Sequence, residues 1–265
     1  MKKPLPLATA MAPACVGNVA VGFDFLGHTI NDPGDRATVR RIADSEVRIT
    51  AVRGVTGHIP LSAEKNTAGV ALIALRRRLN LDFGFEVELD KGIPWASGMG
   101  GSAASCVAAL VAANAVMDTP APLEMLYQCA LDGESLASGA RNGDNVGPML
   151  YGGLVIATPE RVVPVPVPQG LYCVLAHPDL QVNTLRARAP LEEPFALADV
   201  VRQTANLALL LSGCYRHDFE LIRAGLHDCL IEPRRATLIP GFHDVKQAAL
   251  ESGALGAGIS GAGPS

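Results

Sequence analysis

The residues with the clearest chemical potential lie between Pro94 and Ser105, in the run Pro-Trp-Ala-Ser-Gly-Met-Gly-Gly-Ser-Ala-Ala-Ser. Gly98, Gly100 and Gly101 remove side chains where the backbone turns. Several N–H groups can therefore converge on one point. The helix expected after the loop adds its own free N–H groups and the positive end of its dipole. Such a loop is a cradle for phosphate. The hydroxyls of Ser97, Ser102 and Ser105 stand beside it. The stretch from Gly98 to Ala103 also fits the GxGxx[G/A] pattern of dinucleotide folds. That reading needs a strand abutting the first glycine and an acid about 20 residues on. Pro94 interrupts the approach, and the nearest acid, Asp118, comes early. A Walker A loop is excluded because no Gly-Lys-Ser/Thr follows.

Glu134 is the next candidate. It falls near the end of a helix expected from about Thr119 to Ser138. A carboxylate there faces the negative end of the dipole and needs solvent, a cation or a metal as partner. Asn18 and Asp24 are the only long-reach polar side chains in a Gly-rich, apolar segment from Ala12 to Gly27. Taken alone, they satisfy a local turn. Asn66 reads as a helix N-cap. Arg76 to Arg78 read as a solvated last turn.

These residues must be positioned by elements that alternate strand and helix. Strands are expected at Leu7–Ala12, at the pair Arg36–Ile42 and Glu46–Val52, and at Phe83–Leu89. Further strands are expected at Leu150–Ala157, at the buried-type Leu171–Ala176, and at Leu255 onward into a glycine turn. Gly54 to Leu61 and Gly139 to Pro148 read as loops. Helices are expected from Asn66 to Leu79, from Ser102 to Met117 and into Ser138. Others follow from Phe195 to Cys214, from Asp218 to Leu230 and from Gly241 to Glu251, with Gly253 just past a helix end. Four prolines between Pro159 and Gly170 mark the best domain boundary, dividing 1–160 from 161–265.

Composition narrows the partners. The chain has 265 residues, is 49% hydrophobic and carries a net charge of −4, enough core for one large or two small domains. The acidic balance argues against nucleic acid. Six cysteines lack metal-ligand spacing and read as buried thiols in a reducing compartment. Lys2-Lys3 is followed by prolines, and the run from Ala103 to Met117 is too short to cross a bilayer. A soluble cytoplasmic protein with no membrane partner is expected.

Three segments in order resemble the GHMP small-molecule kinases. They are Pro13–Gly27 (PACVGNVAVGFDFLG), Ile93–Ser105 (IPWASGMGGSAAS) and Gly258–Pro264 (GISGAGP). Asp144–Pro148 with Gly152-Gly153, Asn183–Arg188, and Glu232–Arg235 with Leu238–Gly241 resemble further family segments. Asn18 with Gly22-Phe23-Asp24 narrows the likeness to the branch acting on L-homoserine. The resemblance implies an α+β fold of two domains. The first would be a GHMP kinase domain related to ribosomal protein S5 domain 2. The second would be ferredoxin-like, and incomplete, because family members continue past the third glycine motif, in which Ser265 lies.

The resemblance also implies roles. ATP would lie on Pro94, Ser97, Gly98, Met99, Gly100, Gly101, Ser102, Ala103 and Ser105, with its base near Asn66. Ser102 and Glu134 would hold Mg²⁺ and, with Asn142, form the catalytic set. L-Homoserine would be held by Asn18, Asp24 and Asn145 at its ammonium and by Arg188 and Arg235 at its carboxylate. A homodimer is left open. Three departures stand out: Asn142 where the family often has His, Gly101 for a serine, and the end inside the third motif. With Asn142 unable to titrate near neutrality, the alternative is a non-catalytic binder of nucleotide or amino acid.

Overall fold

The computed structural model describes residues 6–55 and 59–265. The expected loop at Gly54–Leu61 lies partly outside the described residues, and Lys2-Lys3 lies wholly outside them. The chain begins with β1 (Leu7–Gly17), a longer strand than expected. A bulge between Pro13 and Cys15 bends it, so the Gly-rich segment starts as strand rather than loop. β2 (Leu26–Ile42) then runs for 17 residues and is the spine of the sheet. Arg36 is flanked by Met11 of β1 on one edge and by Asp90 of β4 (Gly84–Lys91) on the other. Gly27 is likewise flanked by Gly17 and by Val155 of β5 (Leu154–Thr158).

β3 (Val47–Gly54) does not pair with β2, although the two are consecutive. It pairs in parallel with β4, which inserts between them. The connection is α1 (Thr67–Leu79), so β3, α1 and β4 form a crossover unit. β6 (Arg161–Val165) closes the sheet in the order β3-β4-β2-β5-β6. It belongs to this sheet although it lies past a boundary at 160.

α2 (Gly101–Ala115) lies on the sheet, and α1 and α3 (Leu123–Ser138) pack against it. α2 is buried along most of its length, with Ala103, Ala104, Ala108, Ala109 and Ala113 fully shielded. Small side chains let α2 lie close to β1 and β2 on one side and to α1 and α3 on the other. It shares one core cluster with Leu72, Leu75, Phe85, Val87 and Leu131. Fully burying one such side chain is worth about 1.5–3 kcal/mol. α2 is thus a rigid rod whose N-terminus carries the glycine loop.

The second half is mainly helical: α4 (Val146–Tyr151) from the end of the first half, then α5 (Thr184–Arg188), α6 (Leu197–Arg216), α7 (Phe219–Gly225), α8 (Glu232–Arg235) and α9 (Phe242–Glu251). The last three residues of the expected loop at Gly139–Pro148 belong to α4, so the strand expected from Leu150 starts only at Leu154. α7 is shorter than expected because the Asp228 carboxylate collects the N–H groups of Leu230, Ile231 and Glu232 and turns the chain. Two expected strands do not form among the described residues. The stretch 171–176 has no regular structure and no ladder partner, and Tyr172 and Val174 are 88% and 92% exposed. The stretch 255–265 is irregular and is held by side chains and loop backbone instead.

Candidate active site

The glycine loop joins β4 to α2 and is shaped from both halves of the chain. Gly98 and Gly100 adopt left-handed φ values of 79° and 70°. A Cβ on Gly98 would sit 2.5 Å from the Ser260 carbonyl oxygen and 2.7 Å from that of Gly263. The GISGAGP segment therefore packs on the loop backbone. Ser260 donates its hydroxyl to the Gly98 carbonyl at 2.8 Å. Ser265 donates to the Ser97 carbonyl at 2.6 Å. The Met99 carbonyl accepts from Cys15 N–H at 3.1 Å, tying the loop to β1.

The N-cap of α2 is Gly100, which offers no capping side chain, and the first turn carries no acid. Its first N–H groups are left for an external acceptor, and the dipole favours an anion there. Gly98, Gly100, Gly101 and Ser102 are half-buried, so a ligand can reach them. Two buried oxygens at the loop lack partners: Ser97 Oγ and Asn145 Oδ1. Asn145 lies against Gly100, where a Cβ would come within 2.7 Å of its Oδ1. Beside them, Ser102 donates to Glu134 Oε2 at 2.7 Å. Glu134 is buried, and burial raises its pKa to about 7. Among the described residues no cluster of three His, Cys, Asp or Glu side chains could hold a metal by itself. A carboxylate, a hydroxyl and an orphaned amide oxygen suit a hard cation that keeps waters and shares phosphate oxygens.

Asp24 and Arg188 meet across the other side of the site. Arg188 donates both terminal nitrogens to the Asp24 carboxylate, at 3.0 and 2.8 Å. Its Nε is buried and unpartnered. Arg235 is 2% exposed and donates to the carbonyls of Ala187 at 3.0 Å and Gly261 at 2.9 Å. Burial, with the nearby Arg188 charge, lowers its pKa to about 10. Both guanidiniums stand over the Phe23 ring, at 5.5 and 5.0 Å from its centre. Two cations gathered at one aromatic ring are a charge arrangement that can receive a carboxylate. A cavity of about 640 Å³ adjoins Arg188, lined also by Phe23, Phe25, Phe195 and Leu207, but no residue of the glycine loop borders it.

Several expected contacts are taken by the protein itself. Asn66 caps α1, accepting from Ala68 and Gly69 N–H and donating to the Pro60 carbonyl, so its amide is not free for an adenine. Asn18 has a left-handed φ of 73° and bridges backbone: its amide accepts from Asp24 N–H and donates to the Gly261 carbonyl. It braces the Asp24 turn against the Gly261 backbone rather than standing free. Ser105 is buried, and its hydroxyl is engaged by Asp35, Lys91 and the Gly101 carbonyl, not by the loop's open face. Asn142 is half-buried and makes no side-chain hydrogen bond among those described. The buried acid of its segment is Asp144, two residues on. Burial, followed by the Asp24 charge, raises the Asp144 pKa to about 7. Sequence reasoning quoted Asp144 within a motif without giving it a role.

Fold and site together define a GHMP kinase. The family model "GHMP kinases N terminal domain" matches residues 66–153, and "GHMP kinases C terminal" matches 210–265. A homoserine kinase of Xylella fastidiosa (strain M12) is 60% identical over 97% of this chain and 80% of its own length. The crystal structure of homoserine kinase from Cytophaga hutchinsonii superposes with a TM-score of 0.94 at 41% identity, over 100% of this chain and 85% of that one. L. major mevalonate kinase, at 15% identity and a TM-score of 0.67 over 99% of this chain and 87% of that one, shares the fold alone. Within its class, the chain belongs to the homoserine kinase family. The reading as a non-catalytic binder is not supported, because the relatives at 60% identity are named as kinases.

Proposed function

We propose that the chain transfers the γ-phosphoryl group of ATP to the side-chain hydroxyl of L-homoserine, giving O-phospho-L-homoserine and ADP. The observation that carries this reading is the meeting of an uncapped glycine loop with the Asp24, Arg188 and Arg235 cluster in one site. The relatives' shared name supports the choice of acceptor.

Homoserine brings one carboxylate and one ammonium. Arg188 and Asp24 already neutralise each other in a two-bond fork. A zwitterion can exchange with that fork, its carboxylate going to Arg188 and Arg235 and its ammonium to Asp24, so net charge in the site is conserved. Charge-assisted bonds of this kind are the strong ones. The hydroxyl end is then directed toward the glycine loop. Backbone N–H groups of 98–103 receive phosphate oxygens, and the Ser97 hydroxyl and Asn145 amide supply further polar contacts.

GHMP kinases are ATP-dependent, and the fit of Glu134 and Ser102 extends this to Mg²⁺. When bound, the cation would draw charge from the phosphates. Glu134 holds Ser102 in orientation, and α3 holds Glu134. Phosphoryl transfer depends chiefly on positioning and charge neutralisation, which needs no strong base. In this reading 1–160, extended by β6, is the nucleotide domain, and the remainder closes over the acceptor. No helix among the described residues is long and apolar enough to cross a membrane.

The test is ADP release by the purified chain with ATP and Mg²⁺. Release that depends on L-homoserine is the expected result. Release with mevalonate and none with homoserine would overturn the assignment.

A further inference from the structure

Behind the glycine loop lies an ion pair that neither the phosphates nor the acceptor would touch. Asp35 on β2 is 1% exposed and Lys91, the last residue of β4, is 6% exposed. The Lys91 ammonium donates to the Asp35 carboxylate, to the Gly101 carbonyl at 2.6 Å and to Ser105 Oγ at 2.7 Å. Asp35 in turn accepts from the N–H groups of Gly92 and Ile93 at 3.0 and 3.1 Å, and from Ser105 Oγ at 3.1 Å. Every proton of the ammonium has an acceptor, and both carboxylate oxygens are used.

The partners are not scattered. Gly92 and Ile93 are the residues that lead into the loop. Gly101 and Ser105 form the first turn of the helix that leaves it. One buried charge pair thus grips both ends of the glycine loop and fixes them to the two central strands. Stability alone is a poor reason to bury such a pair, since well-packed apolar residues of similar volume do as well or better. Geometry is the better reason. A lysine beside the positive end of a helix is unfavourable unless its charge is matched. Here Asp35 matches it, and the lysine is left to hold the Gly101 carbonyl from behind.

We propose that Lys91, Asp35 and Ser105 are positioning residues for the reaction, a clamp that holds the N–H groups of residues 98–103 in anion-binding geometry. The clamp extends the reading in which this loop carries the phosphates of ATP. It predicts that loss of the ion pair loosens the loop and weakens nucleotide binding while sparing the acceptor site, which is built from other elements.

The test uses the full chain with Lys91→Met combined with Asp35→Asn. The pair becomes neutral, and an oxygen remains for Gly92 and Ile93. Amide hydrogen exchange in the ligand-free protein should be at least about 10-fold faster at 98–103, with α3 unchanged. The dissociation constant for ATP should rise by about 10-fold or more, and that for homoserine should stay within about 2-fold, both by calorimetry. Unchanged exchange at 98–103, or equal weakening of both ligands, overturns the clamp. Faster loop exchange with unaltered ATP affinity instead overturns the placing of ATP on this loop and leaves the clamp standing. Should the double variant fail to fold, Ser105→Ala decides. It removes one hydroxyl and should give the same split at about 3-fold. No split there refutes the proposal.

Discussion

Asp144→Asn should make the protein more stable at high pH, by an amount that grows with pH. Asp144 is 5% exposed, and burial and the Asp24 charge raise its pKa from 3.8 to about 7. A carboxyl with a raised folded pKa supports the fold while protonated in both states, below the unfolded value. That support is lost as pH climbs from 3.8 through about 7, because only the unfolded chain ionises freely across this window. The whole displacement amounts to about 4 kcal/mol, at about 1.36 kcal/mol per pKa unit. Between about pH 5 and pH 8, about 3 kcal/mol of it is lost. Asparagine fills the same space and does not titrate. The stability difference between variant and parent should therefore shift by about 3 kcal/mol toward the variant over this interval, or roughly half that where Asp24 and Arg188 readjust. Urea unfolding in EDTA, without ligands, measures it. With an m-value near 3 kcal/mol/M, the variant's relative midpoint moves by about 0.5–1 M. A difference that stays constant from pH 5 to pH 8 refutes the account of Asp144 as a buried acid strained by ionisation.

Other perturbations separate the two sides of the site. Ser102→Ala and Glu134→Gln should each lower kcat by about 10²-fold with little change in the homoserine KM, in steady-state assays at saturating Mg²⁺. Arg235→Ala should mainly raise the homoserine KM, by about 10-fold or more; an equal fall in kcat with KM unchanged would contradict its place on the acceptor side. Gly98→Ala forces a side chain into left-handed backbone and against two carbonyl oxygens. Its thermal unfolding should report a loss of at least about 1–2 kcal/mol, and ATP binding by calorimetry should weaken with it.

The glycine loop, α1, α2 and α3 were legible because their signals are local. Glycine spacing, the Asn66 cap and helical periodicity act within a few residues. Strand partners were not legible in the same way. Arg36–Ile42 and Glu46–Val52 read as strands, yet nothing local says that β4 will insert between them. The apolar run at 171–176 reads as a buried strand because periodicity reports side chains and not whether a neighbouring strand exists. In the site, the residues proposed for the acceptor rest on motif likeness, and the likeness puts Ser105 among the phosphate residues because a hydroxyl's direction is invisible in a string of letters; in the fold it turns to Asp35 and Lys91. Lys91 and Asp35 lie 56 residues apart, and each falls just outside an expected strand, so nothing local pairs them. Asp144 escaped for a related reason: its acidity is set by burial, which only the folded chain supplies.

The bonds from 260–265 to the glycine loop carry a consequence for how the molecule is made. Ser260 reaches Gly98 across 162 residues of chain, and Asn18 reaches Gly261 across 243. Contacts of such separation close late, because their loop entropy is met only once the rest is in place. On the ribosome, the sheet and α1–α3 can pack long before residue 260 is synthesised, with the loop present but unbraced. With ATP placed on this loop as proposed, competence to bind nucleotide would arrive as a separate, later event. A nascent or nicked chain can be folded by every spectroscopic measure and still be inert.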